Sequence, residues 1–212
     1  MAHSFNKSKG GAQKSQIDSY TFTFGTNTVR IVGDILARYV YWIRGENNKN
    51  IPFECLSFDR DQEKFTNEEK DWIPEFYPDL TCSWGYVTQC IEKTEDGYKI
   101  TVVNLKKKLW EQILVAAKDL GDPTDVKTGW DIVFERTKTG PQVYNVEYQL
   151  RALACKTRAL NEEELEVLKG LKSMDLVIAR PTPEAQKTLL DRITGKEKEN
   201  VDEKAVDEFD MS

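Results

Sequence analysis

The sequence predicts a mainly β protein with one helix embedded among the strands and further helices near its C-terminal end. Three observations support this fold class: several segments alternate apolar and polar residues, one segment has helical spacing, and capping signals follow residue 160. The chain has 212 residues, of which 39% are hydrophobic, so it has enough apolar side chains to form a core. Its length favours one domain over two.

The first strands are expected between residues 20 and 44. In residues 20–35, YTFTFGTNTVRIVGDI, threonine alternates with aromatic residues before a Thr-Asn turn. Residues 37–44, ARYVYWIR, follow as a separate strand that places Arg38, Trp42 and Arg44 on one face. The opposite face carries tyrosine and isoleucine, which suits a core.

The middle of the chain combines a long loop with a hairpin. Residues 55–80 mix charged and aromatic side chains with several prolines, which predicts a loop or insertion with a short helix near TNEEKDWI. Residues 83–93 and 97–105 have the patterns of two strands, and TEDG between them predicts a hairpin turn.

Helical spacing occurs in residues 105–117, LKKKLWEQILVAA, and predicts the embedded helix. After a turn-rich connection, WDIVFER and QVYNVEYQLRALA read as two more strands on either side of the tight turn TKTGP. The strand count therefore reaches five or six, with the helix between the fourth and fifth strand segments.

Two helices are expected near the C-terminal end. Asn161 with Glu164 three residues later predicts a capping box at the start of the first. Thr182 before Pro183 predicts the start of the second, and Gly195 stands where a C-terminal cap belongs.

These elements together fit a five- to six-stranded barrel of the OB type, with an embedded helix and C-terminal helices. We expect residues 1–16 to form a disordered arm and residues 17–195 the OB-fold domain. Within this domain, the insertion lies at about 55–80 and the C-terminal helices at about 161–195. Residues 196–212 are expected to form an acidic, disordered tail.

The negative charge is concentrated in that tail. The formal net charge is -6, and residues 197–212 carry seven acidic against two basic side chains, which accounts for -5 of it. The remaining chain is close to neutral, so a local basic groove on it is compatible with the composition.

The composition argues against membrane and secreted proteins. No apolar run reaches the length of a membrane helix, and the N-terminal residues lack the apolar segment of a signal peptide. Four cysteines are too few for a disulfide scaffold, so reduced thiols in a cytoplasm are expected.

Catalysis and metal binding are not expected either. The single histidine, His3, lies in the N-terminal arm, so no histidine-based triad or general base is available. The loop acids Asp59 and Asp61 are expected to be solvated, and Cys82 and Cys90 lack the close spacing of a zinc-binding pair. We therefore predict neither an enzyme nor a cofactor.

Aromatic and basic residues recur together along the predicted strands. Bases stack on aromatic rings while Lys and Arg contact phosphates, so this pattern predicts a groove for single-stranded nucleic acid. The alternative is that the rings fill the barrel and the arginines extend over its surface. The predicted groove residues are Arg38, Trp42 and Arg44; Trp84 and Tyr86; Lys106, Lys107 and Lys108; and Arg136, Lys138, Tyr144 and Tyr148.

The tail VDEKAVDEFDMS is acidic and carries one aromatic residue, Phe209, near its end. Such a segment is typical of a solubilising terminus, but it can also compete with nucleic acid for a basic groove or dock on partner proteins. The residues predicted to contact partners are Asp207, Glu208, Phe209 and Asp210.

The order of these segments resembles the single-stranded-DNA-binding replication proteins of tailed bacteriophages. The resemblance covers roughly residues 20–160 and is densest in residues 83–148, where SWGYV, NLKKKLWEQI and GDPTDVKTGWDIVFERTKTGPQVYNVEY follow one another. It implies an OB-fold core that binds single strands with little sequence preference, and an acidic C-terminus that contacts other proteins. By position, the resemblance assigns groove aromatics to Trp84, Tyr86 and Tyr144, and the basic start of a helix to Lys106, Lys107 and Lys108.

We therefore predict a non-enzymatic protein that coats and protects single-stranded DNA during replication, recombination and repair, in the cytoplasm of a host cell. Better-known relatives hold zinc with one histidine and three cysteines, but no histidine lies in residues 55–80, so no metal is expected. The alternative is an adaptor of the same fold that binds proteins through its tail and binds no nucleic acid. A third hypothesis is a metal-dependent nuclease that uses scattered acidic residues.

Overall fold

The computed structural model describes residues 17–45, 50–142 and 145–195. These residues form two compact units, each assembled from separate stretches of the chain. The first unit contains the described residues up to Leu36 and those of Tyr86–Ala179. The second contains the described residues of Ala37–Gly85 and those from Arg180 onward.

The described residues contain eight strands and five α-helices, with a 3-10 turn at Ala152–Ala154. The strands are β1 (Gly25–Arg44), β2 (Asn50–Glu54), β3 (Phe58–Asp59), β4 (Lys64–Phe65), β5 (Ser83–Thr94), β6 (Gly97–Lys106), β7 (Ile132–Lys138) and β8 (Val146–Leu150). The helices are α1 (Ile73–Phe76), α2 (Lys107–Leu120), α3 (Glu162–Leu168), α4 (Met174–Val177) and α5 (Pro183–Thr194). None of these helices is both long and apolar enough to span a bilayer.

The main sheet has the strand order β6-β5-β1-β7-β8, and β2 pairs with β1 as a sixth strand. In the first unit β1 runs antiparallel to β7 with Gly25 opposite Arg136, and β7 runs antiparallel to β8 with Arg136 opposite Tyr148. The predicted fold class, mainly β with five to six strands, an embedded helix and C-terminal helices, is confirmed by the six-stranded main sheet and the helices. Among the described residues no pairing joins β6 to β8, so hydrogen bonding does not close the sheet into a barrel.

β1 is a single strand of 20 residues, whereas the sequence predicts two strands and a Thr-Asn turn. Thr26 and Asn27 lie inside this strand rather than in a turn. The strand also contains Gly33 at φ +71°, where a Cβ would lie 2.9 Å from Leu171 Cδ2. Glycine allows this left-handed backbone and the close approach of Leu171 without ending the strand.

The embedded helix α2 supplies Leu109, Trp110 and Ile113 to the core of the first unit. These side chains pack with buried residues of β1, β6 and β7, so the helix is held by its apolar face. The buried partners on those strands are Val29, Ile31, Val103, Leu105, Ile132 and Phe134. The helix begins two residues later than predicted and ends before Gly121, which has φ +80°.

The predicted capping box of α3 is confirmed. Asn161 Oδ1 accepts a hydrogen bond from the Glu164 backbone N–H at 2.9 Å, and the Glu164 carboxylate accepts one from Asn161 N–H at 2.8 Å. Arg158 donates to both Glu164 and Asp131, and these hydrogen bonds raise its pKa above the ordinary value. This ion-pair network fixes the start of α3 within the first unit.

The second unit contains the C-terminal part of β1, paired with β2 so that Trp42 lies opposite Pro52. The segment predicted as a loop at 55–80 contains the hairpin β3–β4 and the short helix α1. This helix begins at Ile73, later than TNEEKDWI predicts, because Pro74 suits the first turn of a helix. The core residues of this unit are Tyr41, Ile43, Phe53, Cys55, Phe58, Ile73 and Leu190.

The last helix, α5, belongs to this second unit and confirms the predicted caps. Thr182 Oγ1 accepts a hydrogen bond from Ala185 N–H at 3.2 Å, and Gly195 adopts φ +80° after the last turn. Leu190 of α5 is fully buried among the core residues of the unit. The 55–80 segment is therefore part of a packed body with its own core.

Candidate nucleic-acid interface

The clearest combination of aromatic and cationic groups lies in the first unit, around Arg136 of β7. The guanidinium carbon of Arg136 lies 4.4 Å from the centroid of the Phe24 ring and 6.0 Å from that of Tyr148. Phe24 is 60% exposed, and Tyr148 is half-buried. We call these three residues the Arg136 stack. It presents an open ring and a cation at one place on the surface, which is what stacking on a base beside a phosphate requires.

Arg136 is held in place by its neighbours. Nη1 donates a hydrogen bond of 2.6 Å to the Phe22 carbonyl, while Nε is buried and has no acceptor among the described residues. The Phe22 ring contacts Tyr148 in a T-shaped arrangement with ring centroids 5.4 Å apart. An unpaired buried N–H costs free energy, so the position of Arg136 is not explained by hydrogen bonding alone.

Phe24 owes its exposed position to Asn27, the residue that the sequence predicts in a turn. The Asn27 side chain is buried, accepts a hydrogen bond from Thr23 N–H at 3.0 Å, and donates to the Thr23 carbonyl at 2.8 Å. It also donates to the Gly25 carbonyl at 3.0 Å, and Gly25 has φ +87°. These bonds hold residues 23–25 in a tight loop at the start of β1, with Phe24 at its centre.

Lys138 is a further predicted groove residue of the first unit. Lys138, at the end of β7, is exposed and pairs in register with Val146. Tyr144 lies outside the described residues, so its predicted place in the groove stays a prediction. The acidic tail, with Asp207, Glu208, Phe209 and Asp210, also lies outside the described residues.

The lysine run marks the start of α2. Lys106 is the N-cap residue, Lys107 and Lys108 form the first turn, and all three side chains are exposed. The first turn contains no acidic residue, and one i,i+4 pair, Lys107 Nζ to Glu111 Oε1 at 3.9 Å, offsets part of the charge. Cations near the positive end of a helix dipole are unfavourable for the helix, and an anionic ligand would remove that cost.

The groove residues predicted on β1 lie in two different environments within the second unit. Trp42 is 45% exposed and Arg44 is exposed, as the alternation of the strand predicts. Arg38 is instead half-buried, and burial lowers its pKa from the ordinary value while nearby Glu54 acts in the opposite direction. Arg38 therefore lies near the buried carboxylate of Glu54, which forms ion pairs with Arg60 and Arg180.

Trp84 and Tyr86, predicted to line a groove, are both half-buried and pack in different hydrophobic clusters. Trp84 contacts the Tyr39 and Phe58 rings with centroids 4.6 and 5.3 Å away. Tyr86 lies 5.1 Å from the Trp110 ring. Packing explains much of the surface of both rings, so their contact with nucleic acid stays a prediction.

Sequence reasoning missed two exposed rings. Phe24 belongs to the alternating run Tyr20, Phe22, Phe24, and a fully extended pattern gives no sign that only the last ring is exposed. Phe65 of β4 is 51% exposed and packs on Tyr39 with ring centroids 4.8 Å apart. Two-residue strands such as β3 and β4 leave no periodic signal, so Phe65 could not be placed from the sequence.

The thiols and acids of the described residues form no arrangement of three or more ligands that could hold a metal ion. Burial raises the pKa of the Cys90 thiol to about 12, against a weaker opposing hydrogen bond with Thr101. Burial also raises the pKa of Cys55 to about 12. Both thiols therefore stay protonated at neutral pH, which is the state of packing residues rather than of nucleophiles.

A sequence comparison identifies a relative of the chain. It is similar to a protein of Escherichia phage T5 described as a probable ssDNA-binding protein, with 28% identity over 166 residues. The match covers 73% of this chain and 62% of the phage protein, so the chain spans less than two thirds of that relative's length. No protein-family model matches the chain, and no solved structure matches it. The resemblance to bacteriophage single-stranded-DNA-binding proteins, inferred from the residues, is thus confirmed by a sequence match.

Proposed function

We propose that the chain binds single-stranded DNA with little sequence preference, through the Arg136 stack and exposed cations of the first unit. The observation that carries the proposal is the Arg136 stack, in which an exposed phenylalanine and a guanidinium lie 4.4 Å apart. The similarity to a phage T5 protein named as a probable ssDNA-binding protein supports the same choice of ligand.

The proposed mechanism combines stacking with charge neutralisation. A base stacks on Phe24, which contributes about 1–3 kcal/mol per base by analogy with other single-strand binders. Arg136, Lys138 and the lysines at the start of α2 contact phosphates. If about three to five phosphates are engaged, log affinity falls with log salt with a slope of roughly -2 to -3.5. Duplex DNA hides its base faces, so it binds more weakly.

The wider role that we propose is to coat and protect single strands during replication, recombination and repair, without catalysis. The acidic residues near the C-terminal end, Asp207, Glu208 and Asp210 with Phe209, are proposed to contact other proteins of those processes. The negative charge of residues 197–212 supports this, since such a segment is repelled by DNA and left available to partners.

A fluorescence-anisotropy titration with labelled oligo-dT and a duplex of equal length tests the proposal. We expect the single strand to bind at least tenfold more tightly and with the stated salt slope. Phe24→Ala is expected to weaken binding about fivefold or more, and Phe65→Ala, which removes an exposed ring of the second unit, serves as the matched control. Equal affinity for single strand and duplex would contradict the proposal. No binding at low salt would leave the adaptor as the better hypothesis.

A further inference from the structure

The second unit contains a group of one aromatic and two cationic residues, none of which is part of the binding surface proposed above. The Trp72 ring, immediately before α1, has the Lys70 ammonium 4.9 Å and the Lys187 ammonium 5.0 Å from its centroid. Lys187 is on α5, so the two lysines come from distant parts of the sequence. A half-buried indole ring thus brings two positive charges together on the surface.

This arrangement has a rigid base. The Trp72 backbone N–H donates a hydrogen bond of 2.8 Å to Gln186 Oε1, and Gln186 is 2% exposed. The Gln186 side chain also donates to the Glu54 carbonyl at 3.0 Å and to Asp71 Oδ1 at 3.2 Å. Because Lys187 follows Gln186 directly, these bonds fix the backbone that carries Lys187 next to the backbone that carries Trp72.

The charges on the two lysines are only partly neutralised. Lys70 forms an ion pair with Glu75, whereas Lys187 forms no ion pair within the part of the chain that the structure describes. Since each ammonium is about 5 Å from one ring centroid, the two lie no more than about 10 Å apart, near the Debye length at 0.1 M salt. They therefore repel each other, and an anionic ligand would relieve that repulsion.

We propose that Trp72, Lys70 and Lys187 form a second contact for a single-stranded nucleic acid. The two ammonium groups bind backbone phosphates, and the exposed part of the half-buried indole ring stacks on a base. This inference rests on the proposed function, because it needs a single strand to be the ligand. It adds a site in the second unit that is separate in sequence from the Arg136 stack.

The test uses the full chain with the double variant Lys70→Gln/Lys187→Gln and, separately, Trp72→Phe and Trp72→Ala. The matched control is Lys93→Gln/Lys156→Gln, which removes two exposed charges from the first unit. Losing two phosphate contacts should reduce the salt slope by about 1.4 and weaken oligo-dT binding about 25-fold at 0.1 M salt. The control should change the slope by less than half as much.

The tryptophan variants separate stacking from charge. Trp72→Ala should weaken oligo-dT binding between about fivefold and a hundredfold, and Trp72→Phe, which keeps a ring, should retain most of the affinity. Trp72→Phe should also show less quenching of tryptophan fluorescence on binding than the unmodified protein. Thermal unfolding of each variant confirms that it is folded before it is titrated.

Each outcome distinguishes this inference from the proposed function. If Phe24→Ala weakens binding but the Lys70/Lys187 double variant matches its control, the proposed function stands and the second contact is wrong. If neither change affects oligo-dT binding, the proposed function itself fails. A loss in both, with the slope change confined to the double lysine variant and not its control, supports the second contact.

Discussion

Two of the aromatic clusters among the described residues illustrate how the same residue types produce different surfaces. The Arg136 stack in the first unit pairs an arginine with a ring that is 60% exposed. In the second unit Tyr39, Phe58, Phe65 and Trp84 pack edge-to-face or tilted, with centroids 4.6 to 5.3 Å apart. The second cluster is an aromatic core with one exposed ring, and the first is a mixed surface that suits a ligand.

The two clusters differ in the residues that surround the nearby arginine. Arg136 has a backbone carbonyl and two rings as its described neighbours. Arg38 also lies beside aromatic residues in the sequence, but it is near Glu54, a buried carboxylate that forms ion pairs with Arg60 and Arg180. A buried carboxylate nearby thus distinguishes the environment of Arg38 from that of Arg136.

The largest expected effect is on stability, and it comes from the aromatic cluster of the second unit. Trp84→Ala removes a ring that packs against Tyr39 and Phe58, so we expect the free energy of unfolding to fall by about 3 kcal/mol. Phe65→Ala is the control, because its ring is half exposed and should cost about 1 kcal/mol. Urea unfolding measures both. A stable Trp84→Ala protein that no longer binds oligo-dT would instead identify Trp84 as a contact residue.

The next largest effect is on binding, and it comes from the Arg136 stack. Arg136→Ala should weaken oligo-dT binding by about 2 kcal/mol, because it removes both a phosphate contact and the cation on Phe24. Arg151→Ala is the matched control, since Arg151 is an exposed arginine of the same unit that pairs with Glu135. Anisotropy titrations compare the two. Equal losses would mean that total charge, and not the stack, determines affinity.

A smaller effect is expected at the start of α2. The triple change Lys106→Gln/Lys107→Gln/Lys108→Gln should reduce the salt slope by about 1.4 if the lysines together engage about two phosphates. The helix itself should become slightly more stable, because cations leave its positive end. Titrations across salt concentrations and far-UV thermal melts measure the two results. An unchanged slope together with a higher melting temperature would mean that these lysines destabilise the helix and do not contact DNA.

The smallest expected effect is on the pH dependence of stability, and the core of each unit contributes one thiol to it. Burial raises the pKa of Cys90 in the first unit and of Cys55 in the second to about 12, above the ordinary value of 9.0. A pKa raised by folding gives stability that is complete below about pH 9 and lost as pH rises toward 12. Each thiol should therefore cost on the order of 1 kcal/mol by pH 10.

Urea unfolding at pH 8 and pH 10 measures this loss. Cys90→Ala and Cys55→Ala should each reduce the difference between the two pH values, and Cys155→Ala, whose thiol is also buried, provides a third comparison. If neither variant changes the difference, other groups such as lysines or tyrosines dominate the alkaline loss of stability.

Local signals allowed much of the fold to be predicted. The hairpin β5–β6, the capping box of Asn161 and the start of α5 at Pro183 depend on neighbouring residues, so their sequence patterns predict them. The continuity of β1 through Gly33 could not be predicted, because a glycine with φ +71° inside a strand has the same sequence pattern as one that ends it. The hairpin β3–β4 is too short to leave a periodic pattern.

The candidate site was predicted less completely for a similar reason. Residue types placed Arg136, Tyr148 and the lysine run among the predicted groove residues, because aromatic and basic residues are typical of single-strand binding surfaces. Exposure of each ring depends on tertiary packing, which covers part of Trp84 and Tyr86 and leaves Phe24 exposed. Asn27, whose side chain holds the loop of Phe24, is a residue type that is common in turns, so only its hydrogen bonds reveal its role.

The interleaving of the two units limits how the chain can be cut. The backbone passes from one unit to the other at residues 36–37, 85–86 and 179–180. A single proteolytic nick therefore cannot release either unit as a free fragment, and no contiguous expression clone encodes one of them alone.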